Sequence, residues 1–173
     1  MAKKPVEIRF NAKTDHWYLS DFAPSLVIVD IEEGGKRKQM WFPNVAVAFN
    51  YLKTDNDVFR EKILSCTVPS KAQYYGSEKA GCPVRKGWES DQLRVMRLLD
   101  WAKFSQNRVL AQWLIATGDA ELVEYAPWEK QRPFWSINSK GEGDNNKGKI
   151  LMRVRERLIE KAGEDHKIPL IKF

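Results

Sequence analysis

The sequence predicts a helix-rich α+β fold with a small antiparallel sheet near the N-terminus. Three observations carry that expectation. Alternating and β-branched stretches crowd the first 42 residues, a period near 3.6 takes over from Pro43, and polar glycine-rich punctuation separates the periodic segments. At 173 residues the chain has the length of one domain, because domains typically run roughly 100 to 150 residues. The expected unit is therefore a single domain over 1–173, with its core in 6–162 and a basic C-terminal tail at 163–173.

Residues 6–10 alternate apolar and polar, as a half-buried strand does. Residues 26–31 form a continuous β-branched run, and 38–42 are again extended. Glu32, Glu33, Gly34 and Gly35 supply turn chemistry between them, so 26–42 reads as a hairpin. These segments together make the small antiparallel sheet.

Val45, Ala48, Phe49 and Leu52 then fall at i, i+3, i+4 and i+7, with Pro43 placed in the first helical turn. Ala46, Asn50 and Lys53 share a neighbouring stripe that can line the edge of a cavity. Further helices are expected at 57–65, at 70–76 and from Ser90, which can cap, with Asp91 in the first turn. That last pattern continues through Leu110, Trp113 and Leu114 to Gly118, and 122–125 reads as one more strand. Residues 136–149 are nearly devoid of apolar side chains and read as a loop opening into a final amphipathic helix, which ends near Gly163. The tail after it either docks or stays mobile.

Composition excludes several classes. No apolar run approaches the roughly 20 residues of a membrane span, and the start of the chain lacks an apolar signal core, so an intracellular, cytoplasmic location without membrane association is expected. Cys66 and Cys82 form no CxxC motif, and His16 and His166 stand far apart. Reduced thiols, no metal and no cofactor are expected. A net charge of +6 favours anionic partners, although Lys36 to Lys38, Arg85 to Lys86, Lys130 to Arg132 and Lys147 to Lys149 are scattered, as on a solvated surface.

Seven tryptophans are many for this length. Trp88 follows Arg85, Lys86 and Gly87, and Trp135 precedes the glycine and asparagine loop, pairings that suit a stacked base or core packing. The loop from Gly141 to Gly148 places flexible backbone before a helix N-terminus, where phosphate can bind. No parallel strand precedes it, so it is neither a P-loop nor a dinucleotide fingerprint.

Taken in order, the motifs resemble the NADAR (YbiA-like) family. Leu19-Ser20-Asp21-Phe22-Ala23-Pro24 resembles its LSNFxP segment, and Phe42 to Asn50, followed by Lys53, resembles its YPTVEHxFQ helix. Val84 to Trp88 matches RxxW, Lys103 to Asn107 matches KFxQN, and Leu114 to Glu124 matches LLxTGxxxLVE. Phe134-Trp135-Ser136 resembles FWG, and Gly143 to Arg155 resembles GxNxLGxxLMxxR. The resemblance covers nearly the whole chain after residue 17.

It implies a hydrolase of N-glycosidic bonds, acting either on ADP-ribose linked to guanine, in nucleotides or in ADP-ribosylated DNA, or on riboflavin-pathway intermediates. The implied ligand is an ADP-ribose-type or other ribosyl phosphate. Lys53, Arg85 and Lys103 would hold phosphates, Trp88 or Trp135 would stack on the base, and Asn145 would hydrogen-bond the ribose. Ser20, Asn50, Gly143 and Gly148 complete the implied binding set. In such a reaction a carboxylate stabilises an oxocarbenium-like ribose and activates water.

The departures bear on that chemistry. The family's catalytic glutamate maps to Ala46, its histidine to Val47, its glutamine to Asn50, and its LSNFxP asparagine to Asp21. The aspartate of its WGDxFWG stretch has no clear counterpart in residues 128–133, where two extra residues lie, and Glu129 is a stand-in. Three readings remain open: a glutamate deliberately replaced at 46, a natural nucleotide-binding pseudoenzyme, or activity carried by Asp21, Glu124 or Glu129.

Overall fold

The structure is a computed structural model and describes residues 6–173. In chain order the elements are β1 (Glu7–Phe10), β2 (Val27–Glu33), β3 (Lys36–Phe42), α1 (Val45–Lys53), α2 (Asp57–Leu64), α3 (Pro69–Tyr75), α4 (Trp88–Gln106), α5 (Arg108–Ala116), β4 (Glu121–Glu124), α6 (Asn146–Glu160) and β5 (Leu170–Lys172). The architecture is thus helix-rich with small sheets, as the periodicities predict. None of the described helices is long and apolar enough to cross a membrane.

The chain divides into two compact units. One comprises residues 24–106 and 166–173, the other residues 1–23 and 107–165.

In the first unit, β2 and β3 form the expected hairpin, paired antiparallel from Val27↔Phe42 to Glu33↔Lys36. Gly34 and Gly35 close it with φ of 55° and 75°. Two successive positive φ values make the tight turn whose twist matches the flanking strands, and glycine adopts them without steric cost. β5 adds to the other side of β2 in parallel, through Asp30↔Leu170 to Glu32↔Lys172, so the tail docks as the third strand. Beyond the reach of β5, Gln106 at the end of α4 substitutes for a strand: its amide accepts from Ile28 N and donates to Ile28 O, each at 2.8 Å.

Two helix starts differ from the sequence expectation. Asn44, not a residue before Pro43, caps α1, its Oδ1 accepting from Val47 N at 2.9 Å, so Pro43 lies outside the helix. α4 begins at Trp88, and Ser90 sits inside it with its hydroxyl donating back to Gly87 O. The same helix stops at Gln106 and a new one starts at Arg108, where a single pattern to Gly118 was expected. Extended Asn107, at φ −121° and ψ 92°, makes the break.

In the second unit, β1 pairs in parallel with β4, Glu7↔Glu121 to Phe10↔Glu124. It does not extend the hairpin sheet, which corrects the expectation that all front segments share one antiparallel sheet. The alternation in 6–10 specifies a half-buried strand but says nothing about its partner. Phe10, Leu19, Leu114, Leu122 and Leu151 are fully buried and form this unit's core. α6 starts at Asn146, so the last four residues of the segment expected to be loop, 146–149, are helical. Lys147, Gly148 and Ile150 are all buried there, because the first turn of α6 lies on β4.

Candidate functional site

Residues singled out from the sequence fall in both units, and their local geometry separates potential ligand groups from structural ones. In the first unit Ala46 is the second residue of α1, buried, at 4% exposure. Its carbonyl accepts from Asn50 Nδ2 at 2.8 Å. The other face of Asn50 is closed by Gly76 at the end of α3: a Cβ added there would overlap the Asn50 side chain. Asn50 therefore packs against the end of α3, and 46 and 50 are both buried. Lys53, at the last position of α1, is half-buried.

Arg85 is engaged within the fold on several sides. Its Nε donates to Leu52 O at 2.7 Å, while Nη2 donates to Thr54 O at 3.3 Å and to the Glu33 carboxylate. The Phe173 ring covers the guanidinium at 3.7 Å. Arg60 grips the same carboxylate in bidentate fashion, at 3.0 and 2.6 Å. Burial pushes the Glu33 carboxyl upward, but these two guanidiniums outweigh it and hold the group below its ordinary value.

Trp88 likewise has no face free for a base. It is 4% exposed and packs edge-on against Phe49, centroid to centroid 4.9 Å. Lys103 is wholly buried, its Nζ 5.0 Å from the Phe104 ring centroid.

In the second unit, Asp21 is ion-paired with Lys147, whose side chain is entirely buried. Lys147 thus departs from the solvated surface expected of the cluster from Lys147 to Lys149, because the first turn of α6 is enclosed. Ser20, also buried, accepts from Phe22 N at 3.2 Å and so shapes the turn presenting Asp21. Asp21 as a stand-in base is therefore a carboxylate held by a cation. Glu129 is exposed on the loop after β4, and Glu124 ends β4, half-buried.

Trp135 is half-buried and meets Phe134 at right angles, 4.9 Å between centroids, and its carbonyl accepts from Lys147 N at 3.1 Å. Asn145 adopts a left-handed conformation, φ 48°. Its side chain clips the loop to β4, accepting from Glu124 N at 3.1 Å and donating to Leu122 O at 2.9 Å. Gly148 and Gly143 are explained by close approach: a Cβ at the first would overlap Leu122 O, and one at the second would overlap Ser136 O. Sequence reasoning missed Asn138, whose Oδ1 accepts from Lys140 N and Glu142 N, each at 3.0 Å, closing the loop before α6. Its only sequence signal was an asparagine in a glycine-rich stretch.

Comparison with known proteins is consistent with this architecture. The chain matches the NADAR domain over residues 9–159 and belongs to that family. It is 33% identical over 153 residues to the N-glycosidase YbiA of Escherichia coli, covering 88% of each chain. It is 32% identical over 148 residues to a riboflavin biosynthesis protein of Vibrio vulnificus, covering 86% of this chain and 37% of that one. The solution structure of E. coli YbiA has the same fold, with a TM-score of 0.73, 31% identity, and coverage of 95% of this chain and 92% of that one.

Proposed function

We propose that this chain is built for the N-glycosidic chemistry of its family on an ADP-ribose-type substrate, most favourably ADP-ribose attached to guanine in a nucleotide or in DNA, and that Ala46 leaves it able to bind without turnover. The observation that carries this reading is the buried methyl group at position 46, on a helix whose cap, Asn44, and whose anchor, Asn50, are both in place. The helix that would present a side chain at 46 keeps its cap and its intrahelical amide bond, while the carboxylate at 46 is replaced by a methyl group.

In the full reaction, water adds to C1′ of the ribose and the C1′–N bond breaks. The electron pair leaves on the base nitrogen, and the base takes up the proton that water loses. A carboxylate at position 46 would stabilise the positive charge building on the ribose and accept the water proton. A methyl group does neither. Lys53, at the end of the same helix as Ala46, supplies positive charge for phosphate. The net charge of +6 favours a nucleic-acid form of the substrate over a neutral one.

The test is hydrolysis of ADP-ribosylated guanosine and of an ADP-ribosylated DNA oligomer by this chain and by Ala46→Glu, with products separated by chromatography. Turnover by the glutamate variant alone is expected. No turnover by either, with measurable binding, would favour a pure binding protein, and turnover by the present chain would move catalysis to Asp21, Glu124 or Glu129.

A second reading is supported by the name of the Vibrio vulnificus relative. Cleavage of a ribosyl intermediate of riboflavin synthesis is the same reaction on a different leaving group, and including such a substrate in the assay separates the two.

A further inference from the structure

The unit formed by residues 1–23 and 107–165 carries an open cavity of about 560 Å³ that involves none of the residues implicated above. Its wall includes Trp17, Tyr18 and Trp113, with His16 beside them, and Asp15 and Asp119 also line it. The three large rings meet edge to face. Trp17 meets Trp113 at 6.2 Å and 80°, Tyr18 meets Trp113 at 5.3 Å and 61°, and Trp17 meets Tyr18 at 6.4 Å and 84°. Each indole holds the other in place, yet Trp17 and Trp113 remain 41% and 43% exposed. Two large, mutually fixed aromatic side chains left half open to solvent form a pre-organised binding wall.

The charge of the lining is opposite to that of the chain. Both ionisable acids are present and no lysine or arginine is, in a protein of net charge +6. Arg155 lies behind the wall, within electrostatic reach of Asp119. Its guanidinium is directed into the fold, donating to Thr117 Oγ1 at 2.8 Å and to Ala120 O at 3.0 Å.

We propose that this cavity binds a small organic cation: an ammonium or guanidinium group on a flat or branched apolar body. Indole faces attract a cation through the ring quadrupole. Asp15 and Asp119 complement its charge, and the apolar wall takes the body. The volume lies within the roughly 300 to 1,000 Å³ of small-molecule sites. A phosphate-bearing ligand would meet two carboxylates here, so this site is distinct from the one that would take a ribosyl phosphate, and the proposal does not rest on that reading.

The test follows the indole N–H resonances of Trp17 and Trp113 in 15N-labelled protein, assigned with Trp17→Phe and Trp113→Phe. The protein is titrated with benzamidine, its neutral counterpart benzamide, ADP-ribose and a glycine peptide containing one arginine. Benzamidine is expected to shift both indoles saturably and to bind at least about tenfold more tightly than benzamide, as a cation–π contact near 1.4 kcal/mol requires. The surface double variant Asp15→Asn/Asp119→Asn should lose that tenfold preference while keeping the spectrum of a folded protein. Equal binding of benzamide would reduce the cavity to an apolar patch and overturn the proposal. So would silence of both indoles up to about 10 mM benzamidine, equal response to ADP-ribose, or tighter binding of the peptide, which would make it a peptide-docking surface.

Discussion

Lys147, with no exposed side-chain surface, is ion-paired with Asp21, 126 residues earlier in the chain, so the turn after Leu19 and the first turn of α6 are joined by charge inside one unit. The carboxylate keeps 20% exposure, so water reaches one end of the pair only. The two partners should therefore respond differently to mutation. Asp21→Asn takes one acidic partner from a fully buried ammonium and should cost about 2 to 3 kcal/mol. Lys147→Met leaves a carboxylate that water still reaches, and should cost less. Urea denaturation of both variants measures the difference, and equal losses would refute the asymmetry.

Arg85 gives the second prediction. Its guanidinium is shared among Glu33, Leu52 O, Thr54 O and the Phe173 ring. Arg85→Ala should lower stability by about 3 kcal/mol, and ADP-ribose affinity of the folded protein should stay within about twofold of the parent. A variant of undiminished stability with affinity lost would restore Arg85 to the phosphate site.

The Glu33 cluster also sets a pH dependence. Burial raises this carboxyl, hydrogen bonds from Arg60 and Arg85 lower it further than burial raises it, and the folded value lies below the ordinary 4.5. A folded value depressed in this way contributes stability that is present above the unfolded value and lost as pH falls through the folded one. Thermal unfolding of the parent should therefore drop steeply below about pH 4.5, and Glu33→Gln should be less stable at neutral pH and flatter in acid. Asp30, lowered first by its hydrogen bond from Arg37, acts in the same direction. Its contribution is smaller, because Arg37 is 59% exposed.

Gly148 gives a prediction about packing. A methyl group there would overlap Leu122 O and approach Asn145 Oδ1 at 2.6 Å, with backbone on one side and an occupied amide on the other. Gly148→Ala should cost about 2 to 3 kcal/mol, whereas Gly35→Ala meets no atom within 4 Å and should cost only the roughly 1 to 2 kcal/mol of a left-handed residue. Chemical denaturation of the pair, with a larger loss at 148, is the expected result.

Much of the fold was legible because it depends on local rules. The β2–β3 hairpin follows from a β-branched run and Gly34-Gly35, and α1, α2, α3 and α6 from apolar spacing. Boundaries that depend on one side chain's partner were less legible: Asn44 caps where Pro43 was expected to start the helix, and Ser90, expected to cap, lies in the first turn of α4.

The sequence named candidate residues by chemistry but could not show the contacts those residues make within the chain. Trp88, Arg85, Asn50 and Asn145 have the chemistry of ligand-binding groups, and the fold uses that same chemistry on Phe49, Glu33, Ala46 and Leu122. Residue type states what a side chain can bond; it does not state which partner lies within reach.

By itself the sequence determined the family, the helix-rich class, the hairpin and the alanine at position 46, because these reside in residue order and in patterns spanning a few turns of chain. Tertiary structure alone decided that β1 joins β4, that the tail becomes β5, that Lys147 is buried against Asp21, and that Trp17 and Trp113 form an acid-lined wall. Each of those depends on segments between about 100 and 140 residues apart coming within a few ångströms. Long-range pairing is selected by total burial and charge compensation across the fold, which no local window contains.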